Sequence, residues 1–326
     1  MKIAIIYHDA DFDGKLSNEV CRYHLAHLYP LATIDSYGWD YGRPLPTFKD
    51  SVLSWTDYDI IYIVDLSVDE IMALPELRKK IIWIDHHKSA IEKWDSVKDE
   101  SGNYLFAGSR IDGVAACRLC WQWFTWGQLP KGVLPSKQDF IEPLTKQLFV
   151  DRKVSEPRLI RLAGEYDIWD HRDPAGKALQ FGLRTLDEKA LRTACEEQFN
   201  DSSVAESLLS SYIEIGNSIK SYCDKQADEY SGAFSHTINW EGLKFCALNI
   251  GQRGSSDLLR GGIKEEHDAC FAWRYDGKMA SVSLYHVHGK NHLDLSLIAV
   301  KYGGGGHKGA CGLKLTLQKL AEILAN

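Results

Sequence analysis

The stretch Ile81-Ile82-Trp83-Ile84-Asp85-His86-His87-Lys88 sets a short, wholly apolar run against an acid and two adjacent imidazoles. Its first half reads as a buried strand, and its second half as a metal site at that strand's carboxyl end. Two other runs share the design: Ile3-Ala4-Ile5-Ile6-Tyr7 leads into His8-Asp9-Ala10-Asp11-Phe12-Asp13-Gly14, and Ile60-Ile61-Tyr62-Ile63-Val64 leads into Asp65. Three strands thus bring carboxylates and histidines to one edge. Crowding these acids without cations raises their pKa values and opposes folding, a difficulty that metal ions remove. Mixed His and Asp donors suit first-row divalent ions; the oxygen-rich set favours Mn²⁺, and Mg²⁺, Co²⁺ or Fe²⁺ are also compatible. Two such ions sharing a carboxylate activate water for phosphate ester hydrolysis.

The chain has 326 residues, 44% of them hydrophobic and 25% charged, with a formal charge of -7. That length and balance predict two domains, each with its own core. The negative charge argues against nonspecific coating of nucleic acid, but a basic patch and bound metal make a small anionic substrate acceptable. The eight cysteines are dispersed, which favours reduced thiols, and Cys117 and Cys120 are expected as buried thiols. The opening residues do not read as a signal peptide and no run approaches a membrane span, so a cytoplasmic protein is expected.

Strands alternating with helices over residues 1–87, with a helix at Lys15–His27 and an irregular connection from Pro44 to Trp55, predict a mainly parallel sheet. An apolar helix follows Asp112-Gly113, its aromatics read as core. A loop from Pro130 to Pro135 and a helical segment from Lys137 to Val150 come next. The segment Glu165-Tyr166-Asp167-Ile168-Trp169-Asp170-His171 is the fourth contributor to the site. Leu208, Tyr212, Ile215, Ile219 and Tyr222 recur at helical spacing and predict a long connecting helix. Beyond it come strands at Phe245–Ile250, Ala269–Tyr275 and Met279–Val287, with Asp276-Gly277 as a two-residue hairpin turn, and a last helix from Leu317. The expected division is 1–200 for a metal-binding catalytic domain, 201–232 for the connecting helix, and 233–326 for a smaller α/β domain.

Asp11 and Asp13, alternating around Phe12, are expected to point the same way on an extended strand end. The run Gly303-Gly304-Gly305-Gly306-His307-Lys308 reads either as a flexible turn or as a backbone cradle for a phosphate or carboxylate.

Assembled in order, these motifs resemble the DHH/DHHA1 phosphoesterases, the superfamily of RecJ-type exonucleases, nanoRNases and cyclic-dinucleotide phosphodiesterases. The resemblance spans nearly the whole chain: His8-x-x-Asp11-x-Asp13-Gly14, Val64-Asp65, Asp85-His86-His87, Tyr166-Asp167-Ile168-Trp169, and Gly303 to His307. The Asp-Ile-Trp form of the fourth motif, with Asn249 to Ser255, is similar to the nanoRNase B-like branch. The resemblance implies a two-domain α/β fold and two divalent ions. His8, Asp11 and Asp65 would hold one ion, and Asp13, Asp65, His86 and Asp167 the other, with Asp65 bridging; Asp9 is the alternative to His8. It implies that His87 contacts the scissile phosphate or assists the leaving group, and that Asp85 orients His86. In the second domain Gly304, Gly305, Gly306 and His307 are the expected substrate contacts. Many relatives place an arginine in the strand that here reads Ser281 to His286, which leaves His286, Arg253 or His288 as replacements.

The implied reaction is hydrolysis of short oligoribonucleotides to mononucleotides, in a clamp between domains and with no membrane partner. Hydrolysis of cyclic nucleotides, 3′-phosphoadenosine 5′-phosphate or polyphosphate would use the same metals, and a nucleotide sensor without turnover is the non-enzymatic alternative. The apolar central helices make a homodimer plausible.

Overall fold

The computed structural model describes residues 1–45, 54–126, 144–251, 256–287 and 289–325. The chain divides into two compact units, Met1–Asn217 and Ser218–Asn326. In the first unit the elements are β1 (Lys2–His8), α1 (Phe12–Leu28), β2 (Thr33–Trp39), β3 (Ile60–Val64), α2 (Asp69–Met72), β4 (Ile81–Ile84), α3 (Lys88–Asp95), α4 (Ala116–Thr125), α5 (Lys146–Val150), α6 (Arg158–Asp167), α7 (Ala175–Leu183), α8 (Glu188–Phe199) and the start of α9 (Ala205–Phe234). The division falls inside α9.

Among the described residues, four strands form a sheet in the order β2-β1-β3-β4, every pairing parallel. The three apolar runs are β1, β3 and β4, and both of their faces are covered. Ile3, Ile5, Tyr62, Val64, Ile82 and Ile84 lie in a core with Leu16 and Val20 of α1 and Leu119 and Trp123 of α4. Ala4, Ile6, Ile61, Ile63 and Trp83 lie in a second core with Met72, Leu77 and Trp94. Burial on both faces explains why these strands show no alternation. Each fully buried Ile or Val contributes about 1.5–3 kcal/mol, so the strand ends are rigid mounts. Strand β2 escapes the sequence pattern because it is a half-exposed edge strand, Thr-Ile-Asp-Ser-Tyr-Gly-Trp.

The second unit contains the remainder of α9, β5 (His236–Trp240), β6 (Leu243–Asn249), β7 (Ala269–Tyr275), β8 (Ala280–His286), α10 (Leu295–Lys301), β9 (Gly305–His307), β10 (Ala310–Leu315) and α11 (Leu317–Leu324). Its sheet runs β5-β6-β7-β8-β10-β9 among the described residues, with β6 and β7 parallel and the other pairs antiparallel. The expected α/β architecture, a parallel sheet with a second domain, is therefore present.

The turn at 276–279 differs from expectation. Register pairs Tyr275 with Ala280, and the Asp276 carboxylate accepts from the N–H groups of Lys278 and Met279, both at 2.8 Å. The turn is centred one residue further on, at Gly277-Lys278, because Asp276 N–H donates to the Met279 carbonyl at 3.2 Å while its side chain takes the N–H groups across the turn. Of the segment expected as a helix from Lys137 to Val150, only the end, α5, falls among the described residues; the Pro130–Pro135 loop lies outside them, as does most of the Pro44–Trp55 connection. Cys117 and Cys120 are fully buried thiols, as expected, and no described helix is long and apolar enough to cross a membrane.

Helix α1 packs on α4 partly through His24, whose ring stacks on Phe124 at 4.9 Å and meets Trp121 at 5.1 Å. Burial, reinforced by His27, pulls its pKa from 6.5 to about 4. A depressed pKa gives stability that is present above the unfolded value and lost as pH falls through the folded one. The fall in Tm between about pH 7 and about pH 4 is therefore expected to be smaller in His24→Leu than in the parent, measured by thermal melts across that range.

Candidate metal centre

Each strand of the parallel sheet is followed by a polar residue at its carboxyl end: His8 ends β1, Asp40 follows β2, Asp65 follows β3, and Asp85-His86-His87 follow β4. Asp65 is the centre of the group. It is 1% exposed, its φ is +63°, and both carboxylate oxygens are buried without a hydrogen-bond partner among the described residues. Its Oδ2 lies 3.5 Å from His8 Nδ1 and its Oδ1 lies 3.3 Å from His86 Nε2.

Around it, His8 Nδ1 is 3.3 Å from Asp11 Oδ2, and His8 Nε2 is 3.4 Å from Asp40 Oδ1. His86 Nε2 is 3.5 Å from both Asp13 Oδ2 and Asp167 Oδ2. Among the described residues, three sets of donor atoms fall within 4.8 Å of one another: His8 with Asp11 and Asp65, Asp13 with His86 and Asp167, and Asp65 with His86 and His87.

Asp11 and Asp13 are held differently from the strand-end geometry expected. Asp11 is the N-cap of α1, accepting from Gly14 N–H at 3.2 Å, and Asp13 already lies in the first helical turn. Helical rather than extended backbone after residue 11 sends the two carboxylates into different sets. Gly14 is required here, because a Cβ would lie 1.9 Å from the His8 carbonyl oxygen.

Asp13 has a second anchor that no local pattern reveals. Its two oxygens accept from the backbone N–H groups of Ala116 and Cys117, both at 2.7 Å. Helix α4 has no side-chain cap of its own, so Asp13 serves as the cap from the far end of the sequence. The start of α4 is fixed in turn by Arg118, which is buried and bonded to Glu156 through Nε and Nη2.

The structure also reassigns the partner of Asp85. This buried acid accepts from the backbone N–H of His86 at 2.7 Å and of His87 at 3.2 Å, and its side-chain contact is to His87 Nδ1 at 2.8 Å. It orients the His87 ring rather than that of His86. Asp9 turns to Arg43 at 3.0 Å, whereas His8 faces the acids. Asp40 was not foreseen; its signal in the sequence is the acid directly after a strand, which a polar edge strand concealed.

The electrostatics are those of crowded acids. Burial, followed by the charge of Asp13, pushes the Asp65 carboxyl well above the usual carboxylate range. Burial and then the charges of Asp13 and Asp65 do the same to Asp167. Burial favours neutral His8, but the adjacent carboxylates of Asp11 and Asp65 outweigh it and lift the imidazole to about 11. Buried oxygens without hydrogen-bond partners, with imidazole nitrogens 3.3–3.5 Å away, form a donor set of the kind that divalent ions satisfy.

In the second unit, the glycine run has two separate roles. The N–H groups of Gly303 and Gly304 donate to the carbonyls of Val300 and Ala299 at 3.0 and 2.8 Å, closing the end of α10, and Gly303 takes φ +76°. Gly304 therefore caps a helix with its N–H, while Gly305, Gly306 and His307 form β9 against β10. His286 Nε2 contacts the Leu293 carbonyl at 2.7 Å. Arg253 and His288 lie outside the described residues.

No protein-family model matches the chain, and no curated protein does. Solved structures do. A pGpG-specific phosphodiesterase, PggH from Vibrio cholerae, is similar over 100% of this chain and 97% of its own, with TM-score 0.50 and 11% identity. A DHH domain from a member of a family of ribosomal proteins is similar over 99% of this chain and 85% of its own, with TM-score 0.55 and 14% identity.

Without metal, the charge on Asp65 opposes folding, and Asn both removes that charge and tolerates positive φ. Asp65→Asn is expected to raise the Tm of the chelator-treated protein by several degrees and to abolish the rise that Mn²⁺ gives the parent. A carboxyl whose folded pKa is raised contributes stability at low pH that is lost as pH rises, so the gain should be larger at about pH 8 than at about pH 5. Melts with chelator and with Mn²⁺ at both pH values check both statements.

Proposed function

We propose, with the DHH-domain fold as premise, that this chain is a metal-dependent phosphodiesterase that hydrolyses short oligoribonucleotides to mononucleotides. The observation that carries the proposal is Asp65, buried with both oxygens unpartnered between His8 and His86. His8, Asp11 and Asp65 would hold one divalent ion, and Asp13, His86 and Asp167 a second, with Asp65 reaching both. The mixture of carboxylates and imidazoles suits Mn²⁺. The chemistry such ions supply when bound is neutralisation of phosphoryl oxygens and acidification of a coordinated water.

The protein's own part is orientation and proton placement. Asp85, itself immobile through two backbone N–H groups, fixes the His87 ring through Nδ1 and leaves Nε2 for the substrate. Although burial opposes it, the Asp85 hydrogen bond raises the His87 pKa, so the ring is a proton donor suited to a scissile phosphate or a departing oxygen. Asp13, bonded to the start of α4, keeps its position while the acids around it change charge. The similar structure from Vibrio cholerae supports a short linear substrate, since pGpG is itself a two-nucleotide chain.

The test is hydrolysis of a two-to-five-nucleotide RNA, cyclic di-AMP, its linear product, 3′-phosphoadenosine 5′-phosphate and polyphosphate, each with Mn²⁺ and with chelator. Mononucleotide release from the short RNAs only with Mn²⁺ is expected. His86→Ala should lower kcat by about a hundredfold or more with the fold intact by circular dichroism. Activity that survives chelation, or survives His86→Ala, would remove the two-ion reading. Asp85→Asn should lower kcat by about 10–100-fold while leaving the Mn²⁺-induced rise in Tm in place, because the amide weakens the hold on the His87 ring, keeps an oxygen for the backbone N–H groups and replaces none of the proposed ion ligands.

A further inference from the structure

Helix α6 ends on Asp167, one of the acids of the cluster, and the chain after it turns through Ile168 and Trp169. The turn is closed by two backbone bonds, Asp170 N–H to the Glu165 carbonyl at 2.8 Å and Trp169 N–H to the Tyr166 carbonyl at 3.1 Å. This is the Schellman ending, and it requires a left-handed residue at the position of Trp169, where glycine is the usual choice. The φ of Trp169 is +60°.

Tryptophan gains nothing from burial at this place, since it is 67% exposed. Its ring neighbour is His171, in a T-shaped contact at 5.3 Å, and His171 rests in turn on Tyr166 at 5.5 Å. A large aromatic side chain in a backbone state that disfavours it, with most of its surface in solvent, serves neither the core nor the helix end. Strain of this kind persists where a side chain is needed for binding.

Two residues of chain span at most about 7 Å, so the backbone of Trp169 lies within that distance of Asp167, and its exposed indole starts beside the acid cluster. A ligand that places a phosphate at the acids and a flat π-face beside them is a nucleotide, and bases stack on aromatic side chains irrespective of sequence. Polyphosphate has no such face.

Resting on the phosphodiesterase reading above, we infer that Trp169 is a nucleobase platform: its indole stacks on the base of the nucleotide whose phosphate lies at Asp13, His86 and Asp167, with His171 bracing the ring. The contact selects nucleotides over inorganic phosphate chains and tolerates any base.

The test compares a two-nucleotide RNA with its abasic counterpart, by calorimetry with Ca²⁺ in place of Mn²⁺ and by turnover with Mn²⁺. The parent should prefer the base-bearing ligand by about tenfold or more in Kd, and Trp169→Ala should reduce that preference to within about twofold, with Trp169→Phe keeping most of it. Trp169→Gly should lose the preference yet melt at the parent's Tm or higher, because glycine takes the positive φ without strain. A preference unchanged in Trp169→Ala, or a lower Tm in Trp169→Gly, would overturn the platform. Base preference in binding with no hydrolysis of any substrate would leave the platform standing and remove the phosphodiesterase reading. Hydrolysis without base preference would do the reverse, and a parent that binds neither ligand would overturn both.

Discussion

A carboxylate buried with no hydrogen-bond partner is the constraint on which the first unit turns. Asp65 follows a strand whose five residues are all buried, and its positive φ turns the chain at the one point where β1 and β4 flank it on both sides. An ionised acid without a partner in such a place costs several kcal/mol, on the order of the stability of a whole domain. The two apolar cores that cover the sheet faces hold the strand ends in place against that cost. Imidazoles from the neighbouring strands approach both oxygens of Asp65 but do not bond to them. Cations would relieve that cost, and stability would then be linked to occupancy of the site.

The opposing charge is supplied in part by the backbone. Three helices begin at this edge: α1 behind its cap Asp11, α3 directly after His87, and α4 at the carboxylate of Asp13. The positive ends of these helices offset acids, which is the general reason that anionic chemistry gathers beyond the carboxyl ends of parallel strands. Asp13 illustrates the economy of the arrangement, because one side chain both caps a helix and faces His86.

How much of this was legible in sequence follows from the physics of each piece. Strands β1, β3 and β4 announced themselves because burial on two faces demands unbroken apolar residues, and the acids after them stood out against those runs. Strand β2 is an edge with polar residues, so it and the acid that follows, Asp40, were missed. The capping of α4 by Asp13 was illegible because it joins residues 103 positions apart, and no local signal marks a helix capped from elsewhere. Asp85 was read as the partner of His86, whereas its side chain reaches one residue further along the turn to His87. In the second unit four glycines in a row read either as a flexible turn or as an anion cradle, and the first two have their N–H groups committed to the end of α10.

Asp167 differs from the other acids in a way that bears on the order of events at the site. It ends α6, so it faces the negative end of a helix where Asp11 and Asp13 face positive ends. Among the described residues it has no backbone N–H counterpart to the pair that holds Asp13, and burial together with the charges of Asp13 and Asp65 resists its ionisation. A nearby cation would offset what opposes the charge of Asp167. A cation held at the set of Asp13, His86 and Asp167 would be coupled to the end of α6 through Asp167, two residues before the strained turn at Trp169.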